Sequence, residues 1–316
     1  MTMANPPASA IVFAYHDVGV RCLRVLLDAG VEVPLVITHE DSPGENIWFA
    51  SVAQVAAEHG LRCVAPSDAH TPELLAEAAA SKPDFLFSFY YRHMLKAAWL
   101  NVPSRGAFNM HGSMLPQYRG RVPVNWAIIE GARETGATLH RMNEKPDNGA
   151  IVDQCAVPIL GDDTASEVFG KVVTAAEIVL ARSLPRMIDG TATERVQDLS
   201  QGRYYGGRKP EDGRIPSGAG APQIHNLVRA LAAPYPGAFC GFGGREIIFD
   251  RTRLFGASEA NTDGALRLLC RDDALWLHAA DGGMLQVLAA HDGDGPIDSA
   301  GFARRFGGRS SVSVDT

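Results

Sequence analysis

"AIVFAYHDVGVRCLRVLLDAGVEVPLVIT", residues 10–38, carries the pattern that decides the fold. It opens on "AIVFAY" (10–15), a short apolar run of strand length. "RCLRVLLDAG" (21–30) follows with helical spacing and Gly30 as its stop, and "VEVPLVIT" (31–38) reads as a second buried strand. The alternation continues outward. "SVAQVAAEHG" (51–60) is a helix with Ser51 as N-cap and Gly60 past its end, and a short strand lies around "LRCVAP" (61–66). "TPELLAEAAASK" (71–82) is a helix opened by Thr71 and Pro72, and "PDFLFSFYY" (83–91) and "RGAFNMH" (105–111) are strands. Repeated β-α-β units predict an α/β domain with a mainly parallel sheet and helices on both faces. Ligands of such sheets lie beyond the carboxyl ends of the strands, and "AFNMH" ends at one of them.

Beyond that strand, "PVNWAIIEG" (123–131) reads as a helix opened by Pro123. Two β-rich runs, "TGATLHRM" (135–142) and "AIVDQCAVPI" (150–159), are joined by "NEKPDNG", whose turn residues predict an antiparallel pair. A long helix with Thr164 as cap follows (164–188). Residues 201–222, "QGRYYGGRKPEDGRIPSGAGAP", are dense in glycine and proline, which predicts a boundary between domains spanning 1–203 and 204–316. After the short helix "QIHNLVRALAA", the strand-like runs "GAFCGF", "REIIFDRTRLF", "ALRLLC", "ALWLHAA" and "MLQVLAA" predict a small all-β barrel or sandwich of OB-like size.

The bulk composition narrows the function. The 316-residue chain is 46% apolar and 21% charged, ordinary for a globular protein with real cores. A formal net charge of −7 argues against a protein whose main work is coating nucleic acid. Five scattered cysteines (Cys22, Cys63, Cys155, Cys240, Cys270) without a C-x-x-C suit a reducing compartment and offer no zinc or disulfide framework. No basic, apolar leader opens the sequence and no run approaches ~18 apolar residues, so a cytoplasmic protein is expected.

The segment "NMHGSMLPQYRGRVPVNW" (109–126) is where chemistry gathers. Asn109 and His111 are two apart on a strand, so both side chains leave one face, about 6.6–7 Å apart along it. His111 has the chemistry of a general acid or base near neutral pH, and the Asn109 amide that of a donor to a developing oxyanion. Taken singly, a strand-end Asn also starts turns and a lone His also satisfies a core hydrogen bond. Asp147 is the natural carboxylate to orient the histidine, although "PDNG" also needs an Asp for its turn. Arg119 and Arg121 sit in a loop fit to receive phosphates or carboxylates, and equally fit to be a solvated charged loop. "YHDVG" lacks the G-x-G-x-x-G fingerprint of a dinucleotide site, and Ser113 is in no G-x-S-x-G elbow.

Asn109-x-His111 followed by Ser-x-Leu-Pro and Tyr-Arg-Gly resembles the signature of the folate-dependent formyltransferases. The resemblance extends collinearly through "VFAYHDVG" (12–19), "THEDSPGE" (38–45), "FSFYYRHML" (87–95), residues 106–142, "DNGAIVDQ" (147–154) and "VRALAAPYPGAF" (228–239). Its nearest form is the formyltransferase part of the bifunctional polymyxin-resistance enzymes.

That resemblance implies a Rossmann-like formyltransferase domain followed by an OB-like domain. It implies N10-formyltetrahydrofolate as donor, UDP-4-amino-4-deoxy-L-arabinose as acceptor, and no metal. Asn109 then stabilises the oxyanion, His111 transfers protons, and Asp147 orients and supports the histidine. Folate contacts carry over to His93, Met94, Leu95 and Arg121, and to the loop Asn143, Glu144, Lys145, Pro146. The sugar nucleotide and folate are the expected partners, with no nucleic acid and no membrane insertion. At this chain length the second, decarboxylating dehydrogenase half of those enzymes has no room, so a separate decarboxylase is expected. The linker keeps Arg-x-Pro-x-Asp and Ile215 but lacks the Trp expected shortly after. Three other readings share the same centre: a methionyl-tRNA formyltransferase, a hydrolase in which water replaces the amine, and a catalytically silent folate-binding module.

Overall fold

The computed structural model describes residues 7–315 apart from 43, 45 and 259. Residues 1–6, and Pro43 and Glu45 of "THEDSPGE", therefore lie outside the described residues. The chain divides into two compact units. One comprises Met1–Pro123, Thr135–Val157 and Gly170–Tyr205; the other comprises Val124–Glu134, Pro158–Phe169 and Gly206–Thr316.

The first unit is built on strands β1 (Ser9–Ala14), β2 (Glu32–Ile37), β3 (Cys63–Val64), β4 (Phe85–Phe89), β5 (Gly106–His111), β6 (Arg119–Gly120), β7 (Glu134–Arg141), β8 (Ile151–Pro158) and β9 (Tyr204–Tyr205). Seven of these form one sheet in the order β3-β2-β1-β4-β5-β7-β8. It is parallel from β3 through β5 and turns antiparallel at β5·β7. Ile11, Val12 and Phe13 of β1 are all 0% exposed, so both faces are covered, which is why these strands read as continuous apolar runs rather than alternations.

The helices of the first unit are α1 (His16–Asp28), α2 (Val52–Glu58), α3 (Pro72–Ala80) and α4 (Ala97–Leu100); α5 (Pro123–Ile129) falls in the second unit but for Pro123, and α6 (Ala165–Asp189) belongs to the second unit up to Phe169 and to the first from Gly170. Leu74 and Ala78 of α3 and Trp99 of α4 pack with Ile11, Phe13, Leu35, Ile37 and Leu86 in one core. Trp99 anchors the four-residue α4: it is fully buried, stands edge-on to Phe13, and donates its indole N–H to the Ala69 carbonyl at 2.9 Å. The expected caps are present at Ser51, Thr71 and Thr164, the last exchanging hydrogen bonds with Glu167 in both directions. Helix α1 begins at His16, ahead of the expected 21, because Asp17 complements its first turn and Val18, Gly19 and Val20 are buried.

The second unit adds α7 (Ala221–Leu231), strands β10 (Ala238–Phe242), β11 (Arg245–Ser258), β12 (Arg267–Arg271), β13 (Ala274–His278), β14 (Gly283–Asp292), β15 (Gly295–Pro296), helix α8 (Ser299–Phe306) and β16 (Ser311–Ser313). These strands form an antiparallel sheet in the order β10-β11-β14-β13-β12-β16, with β15 on β14. The sheet curls until its edges meet: Phe242 of β10 bridges Val314 just past β16, and Asp315 N–H donates to the Gly241 carbonyl at 2.8 Å. Ile224, Val228 and Leu231 of α7 and Phe302 and Phe306 of α8 pack in its core. This is the small OB-like β domain expected, with the barrel form decided over the sandwich. Strand β16, which closes it, and α8 were not read from the sequence.

Candidate active site

Strand β5 lies between parallel β4 and antiparallel β7, so its carboxyl end emerges where the sheet changes direction. Asn109 pairs across to Ser88 on one side and His140 on the other, and His111 pairs with Thr138. The loop between β7 and β8 then carries Asp147 back over this end. Asp147 adopts φ 56°, a left-handed conformation that Asp tolerates better than most residues. Gln197 clamps the loop by donating to the Asp147 and Gly149 carbonyls at 2.9 and 2.7 Å.

The three residues singled out as catalytic are brought together. The His111 Nδ1 lies 3.5 Å from Asp147 Oδ1, and the His111 Nε2 donates to the Tyr118 carbonyl at 2.9 Å. Both ring nitrogens therefore face acceptor oxygens. Asp147 Oδ2 accepts the Gly120 backbone N–H at 2.7 Å. Burial pushes the Asp147 carboxyl upward, but the neighbouring His111 and His140 rings and the Gly120 N–H outweigh it and hold the carboxyl well below the usual carboxylate range. Asp147 is thus an anion at any physiological pH, with the His111 ring beside it.

Sequence reasoning missed His140. Its Nε2 is 3.1 Å from Asn109 Nδ2 and 3.6 Å from Asp147 Oδ1, and its side chain is almost wholly buried. "TLHRM" does place a histidine on a strand, but only the β5·β7 register sets it opposite Asn109. Gln197 and the Gly120 N–H were equally invisible, because each contributes through a long-range backbone contact.

The two loop arginines separate. Arg119 donates to Asn148 Oδ1 at 3.0 Å and to the Leu199 and Gly202 carbonyls at 3.1 and 2.8 Å, so it staples the loop rather than waiting for an anion. Arg121 is exposed, and its backbone N–H reaches the Tyr205 carbonyl at 3.0 Å beside the β6·β9 pair. Tyr118 and Val122 adopt φ 54° and 47°, unfavourable for non-glycine residues and especially for a β-branched one, so the surrounding pairing holds this loop under strain.

Residues 93–95 follow the end of β4, whose Phe89 pairs with Met110 of β5. His93 is exposed with its ring edge-on to His39, and Met94 is 52% exposed while its carbonyl is engaged by His70 Nε2 at 3.1 Å. The Leu95 side chain is buried in the core with Trp99, which leaves only its backbone for a ligand. Asn143, Glu144 and Lys145 are exposed on the loop that delivers Asp147, and Pro146 is half-buried beside them. Asn143 Oδ1 accepts the Lys145 N–H at 2.8 Å and so shapes that loop.

The family description "Formyl transferase" matches residues 21–184, and "Formyl transferase, C-terminal domain" matches residues 208–307. Among solved structures, an N-formyltransferase from Helicobacter canadensis in complex with folinic acid and dTDP-3-aminofucose is 20% identical, with a TM-score of 0.69 over 89% of this chain and 99% of that one. WlaRD, a sugar 3N-formyltransferase crystallised with dTDP and 5-N-formyl-THF, is 18% identical, with a TM-score of 0.68 over 92% and 99%. HypX from Aquifex aeolicus, in complex with tetrahydrofolic acid, is 17% identical, with a TM-score of 0.60 over 94% of this chain and 46% of that chain. At such identities the likeness is one of fold.

Proposed function

Because the chain belongs to the formyl transferase family, we propose that it moves the formyl group of N10-formyltetrahydrofolate onto the amino group of a sugar nucleotide. The observation that carries this reading is the meeting of Asn109, His111 and Asp147 at the end of β5. The acceptor amine attacks the formyl carbon, and the carbonyl π electrons move to oxygen. Asn109 donates an amide N–H to that oxyanion. His111, held by Asp147, relays the proton from the attacking nitrogen to N10; the oxyanion electrons then re-form the C=O bond as the C–N10 bond breaks with its pair going to N10, and tetrahydrofolate leaves with the formamide formed. Donor contacts fall to His93, Met94, the Leu95 backbone, Arg121 and the loop Asn143–Asp147.

UDP-4-amino-4-deoxy-L-arabinose is the acceptor favoured by the likeness to the formyltransferase half of ArnA, with lipid A modification and polymyxin resistance as the setting. Both substrates are water-soluble anions of the cytoplasm, and a decarboxylase acting upstream supplies the acceptor's precursor. The dTDP-3-aminofucose of the Helicobacter canadensis N-formyltransferase, and the dTDP present with WlaRD, support the acceptor class.

The test is turnover. Purified protein is given N10-formyltetrahydrofolate with UDP-4-amino-4-deoxy-L-arabinose, or with methionyl-tRNA in parallel, and tetrahydrofolate release is followed. Formylation of the sugar nucleotide, abolished by His111→Ala, is the expected result. Formylation of tRNA alone would move the protein to translation, and formate release without an acceptor would make it a hydrolase. Loss of one oxyanion donor typically lowers kcat about 10²–10³-fold, so Asn109→Ala is expected to fall in that range.

A further inference from the structure

We infer that His140 is a positioning residue that fixes which edge of the Asn109 amide faces the reacting carbonyl. This rests on the oxyanion role proposed for Asn109. The His140 Nδ1 contacts the Arg141 carbonyl at 2.9 Å, and a carbonyl can only accept, so Nδ1 carries the ring proton. Nε2 then offers its lone pair. Asn109 Nδ2 stands 3.1 Å from that nitrogen, within hydrogen-bond range, whereas Asp147 Oδ1 at 3.6 Å is beyond it. Asn109 therefore donates to His140.

The consequence follows from counting donors. An Asn amide has two N–H donors and one carbonyl acceptor. One N–H is held by His140, which sets the amide plane and leaves the second N–H for the substrate oxygen. Without an acceptor at that position the amide is free to turn over, and the carbonyl edge would face a developing negative charge. Direct cross-strand pairing of Asn109 with His140 makes the contact a product of sheet register, and the burial of His140 shields it from water.

Four variants test this with N10-formyltetrahydrofolate and UDP-4-amino-4-deoxy-L-arabinose. His140→Leu removes the acceptor and is expected to lower kcat 10- to 100-fold while leaving KM for the donor within about twofold. His140→Gln keeps an acceptor oxygen where Nε2 stood and is expected to recover most of that loss. His140→Asn, whose shorter amide reaches only the Nδ1 position, is expected to behave like His140→Leu and serves where the leucine variant does not fold. In the double variant Asn109→Ala/His140→Leu, no further loss beyond Asn109→Ala is expected, since His140 acts through Asn109.

Unchanged kcat in His140→Leu, equal damage in the Gln and Leu variants, or multiplicative losses in the double variant would each overturn the inference. If Asn109→Ala itself keeps full activity, it is the oxyanion reading that fails instead. An arm independent of the acceptor uses protein labelled with [15N]asparagine, with the Asn109 side-chain amide signal assigned by its loss in Asn109→Ala. That signal is expected to move in His140→Leu and hold in His140→Gln; a signal indifferent to His140→Leu would also overturn the inference.

Discussion

Asp147 shows how one side chain can serve geometry and charge together. Its left-handed backbone makes the turn, while one carboxylate oxygen meets Gly120 and the other faces two histidines. Because the folded carboxyl ionises below its unfolded value of about 3.9, the stability it contributes is fully present above that pH and is lost as the pH falls through the folded value. Asp147→Asn preserves the turn, since Asn tolerates the same φ. At pH 7 this variant is therefore expected to melt below the parent, with the gap narrowing as the pH drops beneath about 4; a gap independent of pH would show that charge is not what Asp147 contributes. Asn109, His111 and Asp147 were legible as residues. His140 was not, because a histidine inside "TLHRM" has no local feature that marks its cross-strand partner.

At the scale of elements, the loop between β7 and β8 is the part on which the site depends. Gly149 makes it possible, for a Cβ there would strike the Arg141 carbonyl, which is backbone and has no side-chain freedom to yield. Gly149→Ala is expected to cost about 1–3 kcal/mol, the range for overpacking, and to lower kcat as well, because Gln197 ties Gly149 and Asp147 to one clamp. Thermal melts and turnover on the same preparation check both; a loss of stability without a loss of rate would free Asp147 from that clamp. The caps at Ser51, Thr71 and Thr164 were readable because a cap is a contact between residues three apart. Helix α8 and strand β16 escaped notice because "SAGFARRF" and "SVS" are short and depend on the second unit's core and edge pairing.

At the scale of the whole molecule, charge speaks to the choice of acceptor. A net charge of −7 gives the chain little sequence-independent attraction to polyphosphate, the term that dominates nucleic-acid affinity. Gel-shift measurements with methionyl-tRNA at about 0.15 M salt, where the Debye length is about 8 Å, are expected to show no saturable complex. A tight, salt-sensitive complex would favour the tRNA reading. Among the described residues no helix is long and apolar enough to cross a membrane.

By itself the sequence determined whatever depends on neighbours along the chain: the β-α-β alternation, the caps, the turn at "PDNG", and the placement of Asn109 and His111 on one face of one strand. Each follows from backbone geometry and hydrophobic periodicity over a few residues. Tertiary structure alone decided what depends on register and closure. It set His140 opposite Asn109, carried Asp147 from 36 positions beyond His111 to 3.5 Å from its ring, turned Arg119 into a staple, and joined Phe242 to Val314 to close the second sheet. Such contacts join residues that share no local pattern, and they exist only once burial of both faces of the first sheet, and of the interior of the second, has fixed which strands lie side by side.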